Sequence, residues 1–265
     1  MRYFALFVAI LGLPTGVFAG ILYGIDDANN SLVTFNTSTN AIAVVGSTGV
    51  GSGDFGDLTY DSNHGIMYWD AGRGNNSIYT LDLGTGAATL VGATGLTDLF
   101  GLAYDTTNNA LYGATGSSGG SNFYSIDVST GAATLIGNSG IYTGGLAYDS
   151  TNNTMYEYVA GTGSLYSINL GNGVATLVSS GVGFINDGGI TWDPVLGVFF
   201  VDDWSDNVYQ YNAGFTSRSL LTTYTDPLDG FAYVGSSVPE PSSLLLLTTT
   251  LLALGFVARK RIPRR

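Results

Sequence analysis

The 265-residue chain contains no cysteine, a single histidine and only eight basic residues. Without cysteine there are no disulfides, thiol nucleophiles or thiolate zinc sites. The lone histidine lies in Ser62-Asn63-His64-Gly65, a turn-type sequence, and reads as a solvated side chain rather than the base of a serine hydrolase. Between Gly20 and Val238 there is no lysine at all. Nineteen acids, all aspartates except Glu157, face Arg73 and Arg218, a net of −17. Such a surface repels nucleic acid and anionic lipid. Glycine-rich Gly116-Ser117-Ser118-Gly119-Gly120 has no lysine and opens no helical pattern, so it is no phosphate loop. Glu157 has no obvious carboxylate partner for glycosidase-type acid–base work.

What the chain does have is a repeat. The pentads Asp57–Asp61 (DLTYD), Gly101–Asp105 (GLAYD), Gly145–Asp149 (GLAYD) and Gly189–Asp193 (GITWD) start 44 residues apart, and Gly230–Val234 (GFAYV) follows after 41. A constant period in the forties without helical periodicity points to propeller blades of four strands. In the period beginning at Gly101 the strands are read as Leu102–Tyr104, Ala110–Ala114, Asn122–Val128 and Ala132–Gly137. Asp105–Asn109 and Ser129-Thr130-Gly131 form the turns, whose Asp, Asn and Gly suit local side-chain bonds and left-handed backbone. Turn clusters recur too often for helices. A two-sheet sandwich would not require a constant period, whereas radial stacking does.

The ends give the blade number. The stretch 21–56 supplies ILYGID, SLVTFN and AIAVVG, matching the second to fourth strands of a blade but lacking the first. GFAYV supplies it. The expectation is an all-β, five-bladed propeller over 20–235 with a composite blade joining its ends, which leaves no open seam.

Flanking segments carry an address. Residues 1–19 read as a secretory signal peptide: Arg2, an apolar Tyr3–Leu13, breakers at Pro14 and Gly16, and Val17-Phe18-Ala19 before a cut between Ala19 and Gly20. After Ser236 and Ser237 come Val238-Pro239-Glu240-Pro241, an uncharged run 244–258, and Arg259-Lys260-Arg261 with Arg264-Arg265. As a helix the run spans roughly 22 Å, short of the ~30 Å hydrocarbon core. A plain membrane anchor is the alternative reading. Basic residues favour the cytoplasmic side.

This three-part ending over 236–265 resembles the PEP-CTERM sorting signal. The resemblance implies recognition of Val238, Pro239, Glu240 and Pro241 by an exosortase, a membrane protease-transpeptidase, removal of the tail, and release or attachment at the cell exterior, often beside exopolysaccharide or biofilm matrix.

In a propeller, the connections between second and third strands and between blades share one face. That face collects Asp26, Asp27, Asp54, Asp70, Asp98, Asp187, Asp202, Asp203, Asp206 and Asp226, with Trp69 and Trp204 nearby. Rings beside carboxylates suit sugar, and carboxylate clusters suit Ca²⁺, while aspartates also simply serve turns. The ligand face is therefore expected around Asp26, Asp27, Asp70, Asp202, Asp203, Trp204 and Asp206. The repeated Asp61, Asp105, Asp149 and Asp193 are expected to cap turns. No catalytic set, metal or cofactor is assigned. The reading is a non-enzymatic exported propeller that binds polysaccharide or matrix protein; the alternative is an extracellular polysaccharide lyase or hydrolase.

Overall fold

The computed structural model describes residues 20–51, 56–116, 121–183, 188–224 and 228–235. The expected signal segment, Val238–Pro241, the apolar run 244–258 and the basic tail lie outside the described residues, as do Asp54, Asp187 and Asp226. The described residues form twenty strands in five four-stranded antiparallel sheets.

The second blade comprises β4 (Asp57–Asp61), β5 (Ile66–Asp70), β6 (Ser77–Leu81) and β7 (Ala88–Ala93), in chain order from axis to rim. The third has β8 (Leu99–Asp105), β9 (Ala110–Thr115), β10 (Asn122–Ile126) and β11 (Ala133–Asn138). The fourth has β12 (Gly145–Asp149), β13 (Thr154–Val159), β14 (Ser164–Ile168) and β15 (Ala175–Ser179), and the fifth β16 (Ile190–Asp193), β17 (Val198–Asp203), β18 (Asn207–Asn212) and β19 (Arg218–Thr223). The first blade is composite. Its outer strands β1 (Ile21–Asp26), β2 (Ser31–Asn36) and β3 (Ala41–Ser47) are completed by β20 (Leu228–Val234). β20 pairs antiparallel with β1 from Ile21↔Val234 to Asp26↔Leu228. The pentad strands neighbour one another in the order β20, β4, β8, β12, β16 and back to β20, so the ring is closed.

The core is divided accordingly. Five apolar clusters each join two adjacent blades. Phe35, Phe231 and Leu22 of the first blade meet Phe200 and Val208 of the fifth, so closure buries aromatic area where the two chain ends meet. A blade can bury its faces only against its neighbours, and no single blade would be stable alone.

In every blade the third and fourth strands carry a β-bulge at the same place, for example between Phe123 and Tyr124 and between Ile78 and Tyr79. Gly137 sits opposite Phe123 there, and a Cβ on it would overlap the Asn172 carbonyl of the next blade's hairpin; Gly92 and Gly46 stand in the same relation to Thr130 and Thr85. Where the fourth blade has Ser179 instead, its hydroxyl donates to the Phe215 carbonyl at 2.9 Å. Blades thus touch backbone to backbone at their outer corners.

Turn chemistry follows the expectation. Asp105 Oδ1 accepts from the backbone N–H groups of Thr107 (2.8 Å) and Asn108 (2.9 Å), and Oδ2 from Asn108 Nδ2 (2.7 Å). Asp149 makes the same three bonds, while Asp61 and Asp193 each cap two N–H groups. The turn's last residue is left-handed: Gly65, Asn109, Asn153 and Gly197 have φ between 52° and 72°, which only Gly, and Asn by its short polar side chain, adopt readily.

Candidate functional site

The two ends of the axis differ in chemistry. At the end where the pentad strands begin, the first pentad position is Gly101, Gly145, Gly189 and Gly230 in four blades but Asp57 in the second. An innermost strand has no further strand to pair with, so its inward N–H groups need other acceptors. Asp57 supplies them: Oδ2 accepts from Leu102 N–H of the next blade (2.9 Å) and Oδ1 from Leu58 N–H (2.9 Å). Asp229 accepts from Gly56 N–H, Asp202 from Gly189 N–H (2.8 Å) and Asp70 from Gly72 N–H (3.0 Å). These four carboxyls, from the fifth, first and second blades, are buried. Burial is the first cause that pushes each well above the usual carboxylate range; mutual repulsion adds to it for Asp57 and Asp229, and repulsion from Asp203 and Asp27 for Asp202.

Among the described residues, several of the carboxyls expected to take a ligand are therefore closed off. Asp70 and Asp202 are essentially inaccessible, and Trp69 is buried against Tyr79 (centroids 5.4 Å apart), so its ring offers no face to a sugar. Asp26 caps Asn29, and Asp203 caps Ser205 and Asn207, which are turn duties. Asp98 receives Arg73 Nε at 2.9 Å. Asp27, Trp204 and Asp206 are half-buried. Among the described residues no three Asp, Glu or His side chains come together as metal ligands, so the Ca²⁺ reading has no ligand set there.

His64 is mostly exposed, with Nδ1 2.7 Å from Asp61 Oδ2. Glu157 is fully buried on β13, at the strand position held by Gly24, Trp69, Gly113 and Val201 elsewhere. Ser139 Oγ donates to its Oε1 at 3.4 Å, and the nearby Thr143 and Ser121 hydroxyls also favour its charged form. Burial nevertheless pushes its pKa up to about 8. With no solvent contact it has no access to an external substrate.

The opposite end of the axis is where a cavity opens. Its volume is about 160 Å³. The fourth pentad position of all five blades lines it: Tyr60, Tyr104, Tyr148, Trp192 and Tyr233. Thr59 and Thr191 line it one position earlier, and Ser62, Thr106, Ser150, Pro194 and Gly235 form its rim. Thr59 Oγ1 accepts from Tyr104 N–H (2.9 Å) and Thr191 Oγ1 from Tyr233 N–H (3.0 Å), again serving inward backbone donors. The aromatic side chains are held from behind. Tyr148 Oη bonds Thr107 Oγ1 and Asn153 Oδ1 (2.6 Å each), and Tyr104 bonds Asp61 of the preceding blade. Burial first, and Asp193 second, push Tyr233 up to about 12, so its phenol stays neutral at physiological pH. Trp192 breaks the pattern: its Nε1–H is buried without a hydrogen-bond partner. Sequence reasoning named candidate residues on the other face and did not anticipate this cavity. Its signal was present in the aromatic that recurs at the fourth pentad position.

Comparison with known proteins supplies the address. Residues 237–261 match the family model of the PEP-CTERM protein-sorting motif. The chain carries a PEP-CTERM sorting motif. The motif implies export, exosortase-mediated processing, and passage through a membrane-anchored stage to the surface. Around it, no curated protein matches the sequence. Solved structures do share the propeller's fold. A chain of the nidogen/laminin complex has a TM-score of 0.59 at 14% identity, covering 82% of each chain. A Bacteroides thetaiotaomicron protein of unknown function has 0.55 at 18%, covering 83% of this chain and 66% of that one. TolB from Acinetobacter baumannii has 0.50 at 16%, covering 77% and 53%. At these identities the likeness is one of fold alone. The PEP-CTERM motif begins two residues beyond Gly235, the last described residue and one of those lining the cavity.

Proposed function

We propose that this is a non-enzymatic binding or scaffolding module of the cell surface or extracellular matrix, exported by its N-terminal signal, sorted by its C-terminal one, and associated with exopolysaccharide. During transit the basic residues of 259–265 stay on the cytoplasmic side, as positive flanks do. The observation that carries the binding reading is the cavity: five aromatic side chains and several hydroxyls line it, and no carboxylate, histidine or lysine is among the lining residues. Aromatic walls with a few placed polar groups are the make-up of a binding pocket, whereas most glycoside hydrolysis uses a pair of carboxyls at the bond. The carboxylates that follow the lining aromatics in the chain, Asp61, Asp105, Asp149 and Asp193, are each committed to turn N–H groups.

The test is fractionation of a culture of the producing cells, with the intact mass of the mature protein and its retention on the cells' own polysaccharide. The expected result is a surface or matrix protein lacking residues 1–19 and the basic tail, retained on the polysaccharide without shortening it. A protein kept in the membrane with Arg265 intact overturns the sorting reading. Release of reducing ends or unsaturated sugars overturns the non-enzymatic one.

A further inference from the structure

We propose that the turn 194–197 is a membrane-contacting tip: while the C-terminal segment holds the chain in the membrane, Val195 and Leu196 dip into the interface of the phospholipid bilayer. The inference rests on the membrane-anchored stage that the sorting motif implies and adds which part of the propeller meets the lipid.

The turn breaks the pattern of its own repeat. Between first and second strands, the second, third and fourth blades carry Ser62-Asn63-His64-Gly65, Thr106-Thr107-Asn108-Asn109 and Ser150-Thr151-Asn152-Asn153, all polar or glycine. The fifth carries Pro194-Val195-Leu196-Gly197. In the other three, the side chain at the third position returns to the pentad aspartate. His64 Nδ1 lies 2.7 Å from Asp61 Oδ2, and Asn108 and Asn152 Nδ2 donate to Oδ2 of Asp105 (2.7 Å) and Asp149 (2.8 Å). Leu196 forgoes that bond. The backbone of the turn is nevertheless held in the same way, since Asp193 Oδ1 accepts from Val195 N–H (2.8 Å) and Leu196 N–H (3.0 Å). The fold therefore does not ask for the aliphatic pair. The core does not take it either, because Val195 is 62% and Leu196 42% exposed. Exposed leucines on the outer strands, Leu90, Leu135, Leu177 and Leu220, recur from blade to blade as strand formers, whereas this pair occurs in one turn of the four. Adjacent apolar side chains that the fold neither needs nor buries mark a contact.

Position and charge name the partner. Turns between first and second strands, and hairpins between third and fourth, share the end of the axis where the cavity opens. Pro194 lines that cavity together with Gly235, the last described residue. Eight residues, 236–243, separate Gly235 from the uncharged run 244–258, a reach of at most about 30 Å. An acidic surface would be repelled by anionic lipid, but this sector of the propeller is not acidic. In the fourth, fifth and first blades the turns 150–153 and 194–197 and the hairpins 169–174, 212–217 and 36–40 contain no charged residue, and Asp149 and Asp193 are buried. Exposed Val174 adds a further apolar side chain there. The exposed Asp82 and Asp127 stand on hairpins of the second and third blades instead. Two aliphatic side chains bury less than one acyl chain, which alone gives only marginal binding, so the contact lasts while the anchor does and ends with it.

The experiment uses the sorting precursor, residues 20–265, in vesicles of phosphatidylethanolamine and phosphatidylglycerol. The chain has no cysteine, so Thr151→Cys and Ala28→Cys each give a single thiol for an NBD label. Thr151 is exposed on the neighbouring turn at the same end, and Ala28 is exposed on the β1–β2 connection at the other. Quenching by nitroxide-bearing lipid is expected at position 151 and not at position 28. Adding Val195→Ser with Leu196→Ser should weaken the contact read at position 151 about tenfold. Both residues are exposed, so the propeller keeps its fold, which circular dichroism checks. Equal quenching at the two labelled positions, or quenching at position 151 that the two serines leave unchanged, overturns the proposal. So does a signal at position 151 that follows protein concentration rather than nitroxide lipid, which would mean that a second copy of the chain covers the tip. If the precursor does not float with the vesicles, the anchored stage falls and the proposal with it; if it floats unquenched at position 151, the anchor stands and the tip alone falls.

Discussion

Replacement of Glu157 by glutamine should make the propeller more stable at alkaline pH and leave it nearly unchanged at acid pH. Glu157 is fully buried, and burial moves its pKa from 4.5 to about 8. Below pH 4.5 the carboxyl is protonated in both folded and unfolded chains and costs nothing. Between 4.5 and about 8 the unfolded chain releases this proton while the folded one keeps it, so stability falls by about 1.36 kcal/mol per pH unit. Above about 8 the folded carboxyl ionises too, and the penalty levels off at roughly 5 kcal/mol, a ceiling set by the low polarity of the site. Glutamine keeps the shape and the oxygen that receives Ser139, and it never ionises. Urea midpoints at fixed m-value from pH 4 to pH 9 would measure the gap between the two proteins. Asp57, Asp70, Asp202 and Asp229 also titrate in the native protein, but they do so equally in the variant and cancel in the difference. A gap that stays constant from pH 4 to pH 9 would refute the assignment of this proton to Glu157.

Two further substitutions test the architecture. Gly137→Ala should cost about 1–3 kcal/mol, read as a lowered melting temperature, because its new methyl meets the Asn172 carbonyl of the next blade; Gly51→Ala, with nothing within 4 Å of its Cβ, is the matched control and should change little. Asp105→Ala removes a buried carboxyl and strips two backbone donors and one amide of the part-buried turn of their acceptor, a loss of about 2–3 kcal/mol, while Asp82→Ala in an exposed hairpin should cost clearly less. Equal urea midpoints for the two aspartate variants would mean that the repeated pentad aspartate does not hold the turn.

The sequence by itself determined the blade. A 44-residue period, strand-forming residues between Asp, Asn and Gly turns, and a pentad missing at one end but present at the other were enough to give four strands per blade, five blades and a composite closure. These are local or periodic properties, carried by residues near one another in the chain. The turn role of Asp61, Asp105, Asp149 and Asp193 was legible for the same reason, since each bonds N–H groups two or three residues on. The depth of a side chain along and around the axis was not. Asp70 and Asp202 read as members of an acidic loop face, and only the packing of the fifth, first and second blades seals them inside. The bulge shared by every outer strand pair, which lets each fourth strand meet the next blade's hairpin, also has no signature in alternation alone. The axial cavity needed the tertiary structure most of all. One aromatic per 44 residues is an unremarked β-former in any single strand; it comes to line a shared cavity only when five strands, far apart in the chain, bring the same position to a common axis.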